Sequence, residues 1–193
     1  MRPVVLRTRR LVLDLPMPYD AEAVTRHCQD PLFEQLLTTP WPYTRADADA
    51  FLGEYVPESW ATGAELTWAL RLAPGGELLG VVGLRSPEHE IGYWIGAPHR
   101  GAGYMSEAAT AVADWALDGG VRGAQSLRWR AVEGNIASAK VARAAGFRRL
   151  AAGGATLPAR NGRDERPAWH GVRTAEPDPG AFTSWAEILE GRA

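Results

Sequence analysis

The sequence predicts a mixed α/β fold built on one sheet. Apolar residues alternate through Leu66–Leu72 and Leu78–Leu84, and Pro74-Gly75-Gly76 between them marks a hairpin turn. Further on, two strand-like runs each pass through glycine into a helical pattern, at Glu90–Leu117 and at Leu127–Ala145. The third observation is bulk composition. A chain of 193 residues, 46% hydrophobic and 23% charged, matches one globular domain and excludes disorder, collagen and a coiled coil.

In chain order, Leu11 to Leu15 reads as a first strand. Asp20 opens a helix to about His27, and Asp30-Pro31 opens a short second one. Pro40 and Pro42 interrupt. Thr44 with Asp47 three residues on forms a capping box, and the helix it starts runs to about Ala61. The two hairpin strands follow, then a third strand at Glu90–Ile95. Pro98–Gly103 is a loop, and Met105–Leu117 is an alanine-faced helix ended by Gly119-Gly120. Leu127–Ala131 is a strand and Ile136–Ala145 a helix that stops at Gly146. Phe147–Ala152 and Ala168–Arg173 close the sheet, with a charged loop at 154–167 between them. Helices, then antiparallel strands, then strand–helix–strand–helix–strand make a mixed sheet. Residues 176–193 hold a proline-rich linker and a short helix. Its apolar side, Phe182, Trp185, Ile188 and Leu189, packs on its own domain or on a partner.

Charge and cysteine content exclude several function classes. A net charge of −2 argues against a bulk electrostatic grip on nucleic acid. Cys28 stands alone, so no internal disulfide or cysteine cluster forms, and it reads as a buried structural thiol. The histidines, His27, His89, His99 and His170, lack a metal-ligand spacing, and no metal is expected. No apolar run has the length of a membrane span, and arginines break up the N-terminal apolar residues where a signal-peptide core would lie. The expectation is a cytoplasmic protein without membrane or nucleic-acid partners.

The informative segment runs from Ile91 to Ala108, where a strand meets a glycine-rich turn that leads straight into a helix. The first N–H groups of a helix have no partner within it, and the helix dipole adds partial positive charge there. Gly101 and Gly103 permit close approach, so an anion such as a pyrophosphate fits, with Arg100 as a full charge beside it. A tight turn without a ligand explains the glycines equally well. No G-K-S/T follows, which excludes a P-loop, and the dinucleotide pattern G-x-G-x-x-G is not met. Glu88 and Glu90 share one face of the central strand and are the carboxylates placed for base chemistry; the alternative is that they are ordinary strand ends.

Arg100-Gly101-Ala102-Gly103-Tyr104-Met105 resembles the R/Q-x-x-G-x-G/A coenzyme-A loop of the GNAT superfamily of N-acetyltransferases, with Met105 in place of the usual small residue. Asn135 to Phe147 resembles the N-x-x-S…K/R-x-G-F signature of the same superfamily. Leu6 to Leu13 and Pro42-Tyr43-Thr44 resemble the branch that acetylates ribosomal-protein N-termini. The likeness covers about residues 4 to 175, so 1–175 is expected to form the acetyltransferase domain.

The resemblance implies a mostly antiparallel sheet with a splayed parallel strand pair, flanked by helices. It implies acetyl-CoA as donor and direct transfer to a primary amine. A peptide or protein N-terminal α-amine is the first acceptor, and an aminoglycoside or other small amine the second. A non-catalytic CoA-binding sensor or scaffold is the alternative of another class. Monomers and homodimers are both implied. By the same likeness, Arg100, Gly101, Ala102, Gly103, Tyr104, Met105 and Ser106 hold the pyrophosphate. Backbone groups of Trp94 and Ile95 meet the pantetheine and thioester carbonyl, and Asn135 bonds the pantetheine or a strand. Glu90 is the base and Ser138 the acid that protonates the leaving thiolate, with Tyr93 or Tyr104 as stand-ins. The acceptor pocket falls at about 31 to 61 and 154 to 167. Trp41 and Trp60 are candidates for its aromatic wall, while Trp68, Trp94, Trp115 and Trp129 read as core.

Overall fold

The computed structural model describes residues 2–151, 154–160, 162–176, 183 and 185–189. The chain opens with β1 (Leu6–Arg7) and β2 (Val12–Asp14), then α1 (Ala21–Cys28) and α2 (Pro31–Leu36). Next come α3 (Arg45–Ala50), a wide π-helical turn at Phe51–Tyr55, and α4 (Val56–Thr62) as one continuous rod. β3 (Glu65–Arg71), β4 (Gly80–Arg85) and β5 (Glu90–Ile95) follow, then α5 (Tyr104–Trp115) and β6 (Ser126–Val132). The chain continues with α6 (Ile136–Ala144), β7 (Arg148–Arg149), β8 (Thr156–Pro158), β9 (Glu165–Thr174) and α7 (Ala186–Leu189).

The strands lie in the order β1-β2-β3-β4-β5-β6-β9-β7, with β8 paired to β9. Each described pairing is antiparallel except β5 with β6. Strand alternation divides the core in two. One face carries Leu66, Trp68, Leu70, Val82, Ile91, Leu127 and Trp129 beneath the alanines of α5 and α6. Ala108, Ala109, Val112, Ala113, Ala139 and Ala142 let those helices sit close to the sheet. The other face carries Ala69 and Val81 beneath Val24, Phe33, Tyr43 and Leu52.

Local chemistry sets the helix starts. Thr44 Oγ1 accepts the Asp47 N–H at 3.3 Å while Asp47 Oδ2 accepts the Thr44 N–H at 2.8 Å. Asp30 Oδ1 accepts the Leu32 N–H at 2.9 Å and starts α2. Two details differ from the sequence reading. The segment 154–167 is no plain loop, because β8 folds back on the start of β9 as an edge hairpin in which Thr156 faces Pro167. The closing strand expected over Phe147–Ala152 is regular only at Arg148–Arg149, the Leu150 N–H adds one bond to the His170 carbonyl at 3.0 Å, and Ala152 lies outside the described residues.

At the chain's end, Trp185 lies 5.7 Å from the Trp129 ring centroid, and its indole N–H donates to the Phe147 carbonyl at 3.2 Å. Ile188 and Leu189 pack on the same core cluster, and Glu187 pairs with Arg149 at 2.5 Å. Phe182 lies outside the described residues.

An ion cluster centred on the buried Arg71 and Asp20, with Asp14 half-buried beside them, ties the helical entry to the sheet. Arg71 donates to Asp14 at 2.7 Å, to Asp20 at 2.7 and 2.6 Å, and to the Gly76 carbonyl at 2.8 Å. Removing one partner of such a cluster strands the other charge in the core. Arg71→Met is therefore expected to lower the unfolding free energy by about 3–5 kcal/mol in urea denaturation. A loss well under ~1 kcal/mol would show that Asp20 finds water or another cation.

Candidate active site

The site begins with a parting of strands. β4 holds β5 along its whole length, whereas β6 meets it only at Glu90↔Arg128 and Ile91↔Trp129. The Gly96 N–H donates to the Leu79 carbonyl at 2.9 Å, so by ladder alternation Trp94 and Gly92 also turn their backbone groups toward β4. Tyr93 and Ile95 face the gap instead. This corrects one expectation: the Trp94 backbone is spent on the ladder with Val81, and only its side chain reaches the cleft. Ile95 keeps its N–H toward the gap while its carbonyl accepts Arg100 Nε at 3.3 Å.

The gap opens into a cleft of about 840 Å³ that passes from the start of α5 and α6 on one face to α2 and the Phe51–Tyr55 turn on the other. Gly101 and Gly103 both take positive φ, 80° and 79°, and α5 starts at Tyr104 without a side-chain cap. Its first N–H groups are therefore left for an anion. Gly101, Gly103, Tyr104, Met105 and Ser106 line the cleft. The Met105 side chain is 4% exposed and sits in the core, away from the loop's outer surface. The Ala102 carbonyl accepts Arg10 Nη1 at 2.9 Å.

Arg100 departs from its expected role. Its guanidinium pairs with Asp30 at 2.7 Å and lies 5.7 Å over the Phe33 ring, so its charge is already met on the α2 side. Arg10, which sequence reading passed over, braces the loop instead. It stacks 4.8 Å over Tyr104 and pairs with Glu107 at 2.7 Å, and Glu107 also accepts the Arg10 N–H at 2.9 Å and the Thr8 hydroxyl at 2.5 Å. Lys140, on α6, lines the cleft and makes no ion pair among the described residues. The T-x-R spacing before β2 was the available signal for Arg10.

Across the gap, Asn135 caps α6 by accepting the Ser138 N–H at 3.1 Å. Ser138 Oγ accepts the Trp129 indole N–H at 3.1 Å and donates to Tyr93 Oη at 3.2 Å. The Tyr93 hydroxyl donates to the Ser138 carbonyl at 2.8 Å. Burial pushes the Tyr93 phenol well above its ordinary pKa, only partly offset by the Ser138 and Trp129 bonds, so it stays protonated at neutral pH. Sequence reading proposed Ser138 and named Tyr93 as a stand-in; the fold places the two hydroxyls in contact. Tyr104 lies on the other side, under Arg10.

On the opposite face, register lines up Glu65, Arg85 and Glu90 on neighbouring strands. Arg85 contacts Glu65 at 3.2 Å and Glu90 at 3.8 Å, and Arg130 pairs with Glu90 at 2.6 Å. Tyr55 donates to Glu65 at 2.5 Å. Glu65 and Tyr55 carried no motif that marks them in the sequence. Trp60 is not an acceptor wall: it is 2% exposed and donates to the Thr67 carbonyl at 3.0 Å. Trp94, read as core, is half-buried and lines the cleft.

Among the described residues, His27, Glu77 and His99 bring possible metal-ligand atoms within 4.8 Å of one another. Glu77 is paired with Arg26 at 2.5 Å, and His27 Nε2 donates to the Leu78 carbonyl at 3.2 Å. Burial lowers the His27 pKa, with the Leu78 bond opposing. The His27 ring fills the space beside Gly96, where a Cβ would come within 2.3 Å of Nδ1.

The family model described as acetyltransferase (GNAT) domain matches residues 10–148. An acetyltransferase of the GNAT family from Bacillus anthracis superposes with a TM-score of 0.76 at 19% identity, over 90% of this chain and 100% of that one. The RimL ribosomal L7/L12 alpha-N-protein acetyltransferase in complex with coenzyme A gives 0.71 at 19% identity, over 89% and 98%. The ribosomal-protein-S5-alanine acetyltransferase from Vibrio fischeri gives 0.70 at 16%, over 90% and 97%. At these identities the likeness is one of fold. No curated protein matches the chain. No helix among the described residues is long and apolar enough to cross a membrane.

The Glu107 brace generates a pH-dependent prediction. Burial alone would raise the Glu107 pKa, but the bonds from Thr8 and Arg10 outweigh it and hold the carboxyl below its ordinary range. A depressed carboxyl stabilises the fold above its unfolded pKa, and that stability is lost as pH falls through the folded value. Glu107→Gln is thus expected to cost about 1.5–3 kcal/mol at pH 7, and the gap to the parent in thermal melts narrows in acid. An equal gap at pH 7 and at pH 3 would rule out the charged brace.

Proposed function

This chain belongs to the GNAT family of acetyltransferases, and on that premise we propose that it moves the acetyl group of acetyl-CoA directly to a primary amine. The acceptor we favour is a peptide or protein N-terminal α-amine. The observation that carries the reading is the two-pair contact between β5 and β6, which leaves Tyr93 and Ile95 backbone groups facing a cleft that ends at the uncapped start of α5. The residues present fit the donor. N–H groups of Gly101 to Ser106 hold its diphosphate, with Lys140 supplying charge across the cleft. The open edge of β5 pairs with the pantetheine amides as a short strand would.

When bound, the donor supplies an acetyl group activated as a thioester. The Tyr93 N–H, which also faces the gap and stands nearer Glu90, meets the thioester carbonyl oxygen as it gains charge, and the Ile95 N–H meets the pantetheine; losing such an oxyanion donor elsewhere costs about 2.7–4 kcal/mol. An α-amine has a pKa of about 7.7–8.0, so a useful fraction is unprotonated near neutrality. Glu90 borders the cleft with one oxygen on Arg130 and the other 3.8 Å from Arg85. It holds the incoming amine and passes its proton to water. As the new N–C bond forms and the C–S bond breaks, the Tyr93–Ser138 pair returns a proton to sulfur. The cytoplasm, with its acetyl-CoA, is the expected place of action.

Purified protein with acetyl-CoA and a panel of amines and peptides, read by thiol release, tests the proposal. Acetyl-CoA is expected to raise the melting temperature, and at least one α-amine to release thiol. A shift without release from any acceptor would leave a CoA-binding sensor, and no shift at millimolar acetyl-CoA would remove both readings. Tyr93→Phe and Ser138→Ala are expected to lower kcat about a hundredfold with acetyl-CoA affinity held within about twofold. Glu90→Gln is expected to lose rate most below the acceptor's pKa; equal activity of variant and parent from about pH 6 to 9 removes Glu90 from proton transfer.

A further inference from the structure

The α2 side of the cleft has a composition that the transfer chemistry does not require. Its wall is apolar, made by Phe33, Leu36, Leu37, Phe51, Trp94 and Leu157. Its floor is the row Glu65, Arg85, Glu90 and Arg130, two carboxylates matched by two guanidinium groups. Both carboxylates are close to buried, with side chains 12% and 11% exposed. Beside them, the hydroxyl of Thr67, a residue 1% exposed, lies on the cleft without a hydrogen-bond partner. Buried hydroxyls are normally satisfied, so this one marks a place for a ligand's polar atom.

Resting on the acetyl-transfer reading above, we propose that the acceptor is an α-amine on a residue with a large apolar side chain: a peptide N-terminus, or an amino acid, of the Phe or Leu kind. A polyamine is a poor match, because the floor has no net charge to attract one. An α-amine with its neighbouring carbonyl is a good match. The amine meets Glu90, the carbonyl oxygen meets Arg85, which is the more exposed of the floor's ions, and Thr67 Oγ1 takes one further bond. The side chain then lies against the α2 wall.

That wall is preformed. Arg160, from the turn between β8 and β9, donates to the carbonyls of Phe33, Glu34 and Leu37 at 2.9, 2.9 and 3.0 Å, and to that of Thr39. The Phe33 carbonyl also accepts the Leu37 N–H at 3.1 Å, while those of Glu34, Leu37 and Thr39 lie at or beyond the last turn of α2, where helical partners run out. One guanidinium therefore fixes α2 and the 37–39 segment against the hairpin, and ordering the wall costs the acceptor little.

Tetrapeptides identical except for a first residue of Phe, Leu, Ala or Ser, with kanamycin as a polyamine, decide the matter through kcat/KM for thiol release. The Phe and Leu peptides are expected to exceed the Ala and Ser peptides by about tenfold or more, and kanamycin to fall below all four. Leu36→Ser is expected to pull the Phe-to-Ala ratio toward one. Ala or Ser peptides that match or outrun Phe would overturn the apolar acceptor while acetyl transfer stands. A ratio untouched in Leu36→Ser would do the same for the wall. Thiol release from none of the acceptors would overturn the inference together with the reading beneath it.

Discussion

Two parallel strands that touch for only two residue pairs are the constraint on which the rest of this molecule depends. An unpaired strand edge inside a protein is costly, because each buried N–H or C=O without a partner gives up its bond to water. Here the edge is kept by opposed pulls. β4 holds β5 to its end at Ile95, and β9 holds β6 to its end at Val132. The two ladders diverge, and the sheet opens between them where a ligand's amides can complete the pairing.

The wedge that keeps the gap open is also its chemistry. Trp129, Ser138 and Tyr93 form a chain of hydrogen bonds from β6 through α6 to β5. That chain bridges the strands just past the point where the backbone stops doing so. Small changes of geometry there move both hydroxyls relative to the gap, so rigidity of the bridge and placement of its protons cannot be separated. Anion binding at the other end rests mainly on backbone, with Lys140 as the side-chain charge across the cleft. Asp30 neutralises Arg100, and Arg10 serves Glu107 and the Ala102 carbonyl. The loop thus presents fixed N–H dipoles, which need no reorganisation when a diphosphate arrives.

Sequence reading recovered what is local. The capping box at Thr44, the helix start at Ile136 and the bounds of Glu90–Ile95 follow from spacing and residue type, and the structure places them as read. Reading stopped where partners are distant in the chain. The Arg100 charge looked free because Asp30, seventy positions away in sequence, gives no local sign of reaching it. Trp94 was read as core because a tryptophan in a strand usually is, and which of its neighbours offers a free amide depends on register with β4. Glu65 and Arg85 enter one row only through antiparallel pairing, which no motif announces. The hairpin at β8 was hidden by Pro158 and Pro167, which an edge strand tolerates and an inner strand would not.

The Arg160 latch shows how the two halves of the cleft differ in kind. On the donor side the groups that face the ligand are mostly backbone N–H groups of one loop and one strand edge, and they suit a ligand whose shape is constant. On the acceptor side, one guanidinium from the late hairpin orders a helix more than a hundred residues earlier. A hairpin can change its turn, and α2 its apolar residues, without disturbing β5, β6 or the start of α5. Acceptor choice is therefore mechanically separable from the transfer machinery. A wall of leucines and aromatics above a charge-balanced floor is then a property of this chain rather than a requirement of the fold.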